Sequence, residues 1–191
     1  MSSNIEPMGA GQALERLREG NRAYLEARSN PGAIDPELRR RLAAEGQRPY
    51  AVVLTCADSR VVPEDIFMTG LGELFTVRVA GNVAAGTQAA SVAYAADHLG
   101  SRLVVVLGHT NCGAVDAALA GGDAGSVAPV VDLIATAIGD ERDPTAAACA
   151  NARAAADRLQ AVPELAHLAA EEGLRIVSAL YHTDSGLVEW L

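Results

Sequence analysis

Aromatic side chains are scarce: they make up 4% of the 191 residues, with one Trp and two Phe. A core without large rings must be built from aliphatic side chains on strands and small-residue helices, and Ala, Val and Leu are plentiful. Cysteine is also rare, at three residues. An odd count argues against a disulfide framework and leaves core thiols, metal ligands or nucleophiles as the readings. Basic charge is in short supply, with 15 Lys and Arg against 24 Asp and Glu and a net charge of -9. A chain this acidic repels phosphate backbones, so nucleic acid is not an expected partner. The one basic run, Arg39 to Arg41, lies near Glu37 and Glu45 and reads as a solvated helix face. No apolar run approaches the ~20 residues of a membrane span. The first residues, Met1 to Pro7, lack the basic-then-apolar pattern of a secretory signal. These absences lead us to expect a cytoplasmic protein with no membrane association.

What is present is a 50% hydrophobic chain without a linker, repeat or long charge block. That suits one domain spanning 1–191, with a helical arm over 1–45 and an α/β core over 50–191. Residues 9–27 carry Leu14, Leu17, Tyr24 and Leu25 at helical spacing. A second helix is expected over 36–45, with Asp35 as N-cap, Pro36 at the first position and Gly46 as the stop. Short Val/Leu/Ile runs at 50–55, 74–79, 103–107 and 174–180 read as strands. The first and third are almost wholly apolar, as parallel strands covered on both faces are. Helical segments are expected at 86–99, 114–120, 127–138, 146–159 and 163–172. The alternation predicts an α/β fold: a mostly parallel central sheet of four to five strands flanked by helices, with an N-terminal helical arm.

Two strand ends carry reactive side chains. The first strand runs into Cys56-Ala57-Asp58-Ser59-Arg60, and the third into Gly108-His109-Thr110-Asn111-Cys112-Gly113. Open α/β sheets bind ligands beyond the carboxyl ends of their strands, so Cys56, His109 and Cys112 are candidate ligands of one metal. Zinc suits this sulfur and nitrogen set, and three protein ligands leave a fourth position where the pKa of bound water falls toward ~7. Two thiolates weaken that acidity, so neighbours must help. Asp58 and Arg60, two apart, can share one side of an extended segment, and the Arg can hold the carboxylate ionised. Asp58 then either orients the metal-activated water or, released from Arg60, becomes a fourth ligand itself. Cys149 reads as a core thiol, and His98, His167 and His182 as surface or structural residues.

These motifs resemble the β-class carbonic anhydrases. The likeness rests on Cys-x-Asp-x-Arg followed by Val61, on Gly-His-x-x-Cys-Gly, and on Gly72-Glu73-Leu74-Phe75. It continues through Arg78-Val79-Ala80-Gly81-Asn82, Tyr94-Ala95, Glu19-Gly20-Asn21-Arg22 and Gly186-Leu187-Val188. The resemblance implies zinc-dependent, reversible hydration of carbon dioxide to bicarbonate and a proton, with Zn2+ on Cys56, His109 and Cys112 and with Asp58 and Arg60 as catalytic dyad. It further implies that Gln47 offers its amide to substrate, and that Phe75 and Tyr94 line an apolar pocket. A homodimer or homotetramer is implied too, with the N-terminal helix packed on the partner and Gln47 able to enter the neighbouring subunit's site.

Two departures stand out. Val79 occupies a position where the family frequently has Asn. A regulatory bicarbonate pocket made in some relatives by Trp, Arg and Tyr would here fall on Val53, Arg78 and Tyr181; without the Trp that pocket is not expected, and the open form of the zinc site is favoured. Two other readings keep the same residues: hydrolysis of carbonyl sulfide or carbon disulfide, and a non-catalytic zinc-binding module.

Overall fold

The computed structural model describes residues 8–26, 28–32 and 35–191. Residues 1–7, read above for a signal pattern, lie outside them. So does Ala27, the last position of the first expected helix.

A five-stranded sheet forms the centre, in the order β2-β1-β3-β4-β5. Its strands are β1 (Ala51–Thr55), β2 (Leu74–Arg78), β3 (Leu103–His109), β4 (Arg175–Tyr181) and β5 (Val188–Trp190). The first four run parallel, and β5 pairs antiparallel with β4. Every residue of β1 and β3 is buried, which accounts for their continuous apolar sequence. The side chains alternate between faces as the pleat requires. Ala51, Val53, Leu103, Val105 and Leu107 join one core cluster, while Val52, Leu54, Val104 and Val106 join another. Fully burying each such Val or Leu contributes about 1.5–3 kcal/mol.

Helices cover both faces. Helix α1 (Ala10–Leu25) brings Ala10, Ala13, Leu14 and Leu17 onto the first cluster. The resemblance implied that this helix packs on a partner; within the chain its buried stripe lies on its own sheet. Asn21 pins it there, donating to the Gly186 carbonyl at 2.9 Å and accepting from the Val188 amide at 3.0 Å. Helix α2 (Pro36–Glu45) starts on Asp35, whose carboxylate accepts from the amides of Glu37 and Leu38, and ends at Gly46 with φ 80°. The short α3 (Pro63–Ile66) follows β1. Helices α4 (Gly86–His98), α5 (Gly113–Ala120), α6 (Ala128–Ile138), α7 (Pro144–Gln160) and α8 (Pro163–Glu171) complete the layers.

Among the described residues no single helix is long and apolar enough to cross a membrane. Residues 113–120 and 125–138 pass that test only as a pair bent by 110°.

From β1 the chain goes outward to β2, then returns past β1 to β3. The order therefore reverses between β1 and β3, and the crevice beyond their carboxyl ends is where such a sheet binds ligands.

Candidate metal centre

Cys56 follows directly on β1. The hydroxyl of Thr55 donates to the Leu107 carbonyl at 2.8 Å, fastening the end of β1 to β3. His109 is still in the ladder, opposite Tyr181 of β4, and is fully buried. Asn111 then turns the chain with φ 57° and sets Cys112 as N-cap of α5. The positive end of that helix favours a thiolate there. The Cys56 and Cys112 sulfurs and a His109 ring nitrogen all lie within 4.8 Å of one another.

The chemistry of the three residues fits zinc. His109 Nδ1 lies 2.9 Å from the Thr110 carbonyl, so Nδ1–H donates and the lone pair is left on Nε2. That Nε2 is buried with no hydrogen-bond partner. A buried acceptor left this way is costly, and a cation would satisfy it. The thiols already favour an anion. Cys56 is drawn far below the usual thiol range, to about 4, chiefly by the hydrogen bond from Cys112 and against the effect of burial. His109 and the amides of Asp58 and Gly81 add to this. As the donor in that pair, Cys112 is pushed upward. Burial alone would lower His109, but the nearness of the Cys56 sulfur and its charge, with the bond to the Thr110 carbonyl, raise it.

Asp58 and Arg60 form a two-pronged pair. Nε donates to Oδ1 at 3.0 Å, Nη2 donates to Oδ2 at 2.7 Å, and the Arg60 amide adds a third bond to Oδ1 at 2.9 Å. The guanidinium holds the Asp58 carboxyl well below the usual carboxylate range. Asp58 is not part of the three-residue ligand group. Arg78 supports the same loop by donating to the carbonyls of Cys56, at 3.2 Å, and Asp58, at 2.7 Å.

The expected substrate residues lie elsewhere in the single chain. Gln47 precedes β1 and lines a cavity of about 1240 Å³ beside Tyr50, Gly72 and Gly100, at the amino ends of the strands. The five residues of β1 alone separate it from Cys56 by roughly 17 Å. Phe75 and Tyr94 meet each other, with ring centroids 6.3 Å apart, on the edge strand β2 and the outer face of α4. Tyr94 is 49% exposed. The chain thus gathers the candidate metal ligands and the Asp58–Arg60 pair at one end, with Gln47 at the other.

The remaining positions are accounted for. Val79 packs its side chain between two core clusters while its backbone bonds Thr55 and Ala57, so an apolar residue serves in place of an amide. Val53 is core, Arg78 is engaged as above, and Tyr181 shares a hydroxyl contact of 3.2 Å with Tyr24. Cys149 is half-buried beside a further core cluster that includes Val115, Ile134 and Ile138. His98 meets the Tyr94 ring at a tilt of 54°, His182 pairs with Glu189 at 3.1 Å, and His167 is exposed. Sequence reasoning missed the contact from the Gly81 amide to the Cys56 sulfur at 3.3 Å, because no local pattern announces it.

Fold and residue set together define a mostly parallel α/β sheet with two cysteines and a histidine, a group that could hold a metal, at the switch point. The chain belongs to the carbonic anhydrase family, whose model, described as carbonic anhydrase, matches residues 51–188. Carbonic anhydrase 2 of Mycobacterium tuberculosis is 46% identical over 117 residues, covering 61% of this chain and 55% of that protein. A carbonic anhydrase of Mycolicibacterium smegmatis is 41% identical over 124 residues, covering 65% and 58%. The chain therefore matches little more than half the length of these curated relatives. Among solved structures, a tetrameric β-carbonic anhydrase of Sordaria macrospora superposes with a TM-score of 0.75 at 24% identity, over 95% of this chain and 94% of that one. The β-carbonic anhydrase CafA of Aspergillus fumigatus gives 0.68 at 28% identity, over 95% and 89%.

Proposed function

We propose that the protein catalyses the reversible hydration of carbon dioxide to bicarbonate and a proton, with zinc held by Cys56, His109 and Cys112. The observation that carries this reading is the unpartnered, buried Nε2 of His109 facing two sulfurs within 4.8 Å, next to a carboxylate that Arg60 keeps off the group. Zinc bound there supplies Lewis acidity, bringing the deprotonation of water into the neutral range (pKa ~7).

The chain's own residues do the rest. Asp58, ionised and held by Arg60, accepts a hydrogen bond from the reacting water and aims its lone pair at the substrate carbon. Because Arg60 occupies both carboxylate oxygens, Asp58 stays out of the coordination shell, which leaves the open form of the site. Phe75 and Tyr94, which like Gln47 stand apart from Cys56 in their own chain, offer an apolar wall suited to a small, uncharged, linear molecule only where a second copy brings them to the site. Gln47, too far from Cys56 in its own chain, donates its amide to substrate in the site of a second copy. The protein works as a homodimer or homotetramer in the cytoplasm, and residues 1–191 act as one unit with an N-terminal helical arm over 1–45 and an α/β core over 50–191.

Stopped-flow hydration of carbon dioxide, run beside metal analysis, tests this. The native protein is expected to hold one zinc per chain and to be active; Cys56→Ser is expected to lose both. Full activity without metal would overturn the reading. So would stoichiometric zinc with no hydration from neutral to alkaline pH, which points to a binding module, or turnover confined to carbon disulfide or carbonyl sulfide.

A further inference from the structure

Asn151 is wholly buried in the middle of α7, within an Ala-rich stretch. Its side-chain amide donates to the Gly81 carbonyl at 2.7 Å. Gly81 in turn points its own N–H at the Cys56 sulfur, 3.3 Å away. The glycine has φ +67°, and a Cβ there would stand 2.6 Å from Ile134 Cδ1 and 3.1 Å from Ala114 Cβ. It is thus held on one side by packing and on the other by Asn151. The same face of α7 backs the second ligand-bearing segment: a Cβ on Gly108 would meet Ala152 Cβ at 3.2 Å and the Ala148 carbonyl at 3.3 Å.

Packing alone gives no reason for an amide here. Burying one costs free energy unless its hydrogen bonds are made, and Asn151 Oδ1 has no partner. An Ala or Leu would fill this helix face without that cost. What the amide adds is directional control of Gly81: it holds the 81–82 peptide by its carbonyl, and across the same Cα the 80–81 peptide carries the N–H that reaches the Cys56 sulfur.

We propose that Asn151 is a positioning residue of the metal centre. By holding the Gly81 carbonyl, it keeps the Gly81 N–H on the Cys56 thiolate. An N–H donor on a thiolate draws electron density from sulfur and weakens its donation to the metal, so Asn151 sets the electron-richness of one ligand through a backbone relay. This rests on the zinc reading above. Outer partners of ligands act in this way generally, and their loss typically costs 10–100-fold in metal affinity or activity.

The test uses 15N-labelled full chain loaded with 113Cd, and separately with Co2+. In the native protein the Gly81 amide proton is expected to show scalar coupling to cadmium through the Cys56 sulfur. Asn151→Asp keeps the size and removes the N–H donor; Asn151→Leu keeps the volume and removes all polarity. In both, the coupling is expected to vanish and zinc affinity to fall about 10-fold, because losing the fixed position of the ligand segment outweighs the stronger donation of the freed sulfur. The thiolate-to-cobalt charge-transfer band is expected to move to lower energy. Native protein that binds cadmium without coupling to Gly81 would overturn the proposal, as would folded variants that keep coupling, band and affinity. If neither variant folds, the residue is structural and the proposal falls. Native protein that takes up no metal at all instead defeats the zinc reading, a separate outcome.

Discussion

Arg60 Nη2 donates to Asp58 Oδ2 at 2.7 Å and to the Asn111 carbonyl at 3.0 Å, so Arg60 and Asn111 tie the loop after β1 to the loop after β3. The two segments that carry the candidate ligands are joined by this cation. Replacing Arg60 with Ala is expected to return the Asp58 carboxyl toward the ordinary carboxylate value near ~3.9. It is also expected to slow carbon dioxide hydration by about 10–100-fold, as loss of a ligand-orienting partner does. A carbon-13 titration of the Asp58 carboxyl and stopped-flow rates check the two halves independently.

The same pair has a pH signature in stability. Asp58 has a lower pKa folded than unfolded, so its contribution is fully present above the unfolded value of ~3.9. It declines as pH falls below that and is gone once pH passes through the lowered folded value. Urea unfolding of the native protein and of Asp58→Asn is therefore expected to differ most near neutral pH and to converge in acid. The difference should be small and should shrink with salt, because the pair is largely solvated. A gap that widens on acidification would contradict the assignment.

Gly81→Ala puts a methyl group 2.6 Å from Ile134 Cδ1 at a left-handed backbone position. Strain and overpacking together are expected to cost on the order of 1–3 kcal/mol. Displacing the Gly81 amide should also weaken zinc retention. Thermal unfolding of metal-free protein isolates the first effect, and competition with a chelator the second.

Asn21→Ala removes two bonds between α1 and the β4–β5 hairpin, leaving the Val188 amide and the Gly186 carbonyl without the partner they have now. A loss of about 2 kcal/mol is expected, since each buried polar group left unsatisfied costs about 1–3 kcal/mol. Denaturant unfolding measures it. No loss would mean that α1 does not rest on its own sheet in solution.

Gln47→Ala and Cys56→Ser damage opposite ends of the chain. If Gln47 serves a neighbouring copy, refolding the two inactive variants together restores hydration, because a mixed dimer contains one intact site. No recovery above the sum of the separate proteins would confine Gln47 to its own chain.

The legible parts of the fold were those whose burial is two-sided. β1 and β3 could be read because parallel strands covered on both faces leave an unbroken apolar record. β5 could not: it has three residues, with Glu189 outward, and exists only because a turn at 182–187 folds it back on β4. The end of β3 was also missed by two residues, since Gly108 and His109 remain paired with Leu180 and Tyr181 although neither looks like a strand residue. The grouping of Cys56, His109 and Cys112 was legible because they sit at or just past strand ends, where the sheet itself brings them together. Asn151 was not, because its partner is a backbone carbonyl 70 residues away and an amide in an Ala-rich helix carries no pattern of its own. Gln47, Phe75 and Tyr94 were named from the family likeness; that Gln47 stands apart from Cys56 follows from the strand that runs between them.

Because His109 is the last rung of β3, its aim depends on register rather than on loop length. Residues inserted into the 121–127 connection would lengthen a surface excursion and leave the imidazole where it is. Deleting one residue inside β3 would turn the ring to the opposite side of the sheet and dismantle the centre, however many of its side chains survived.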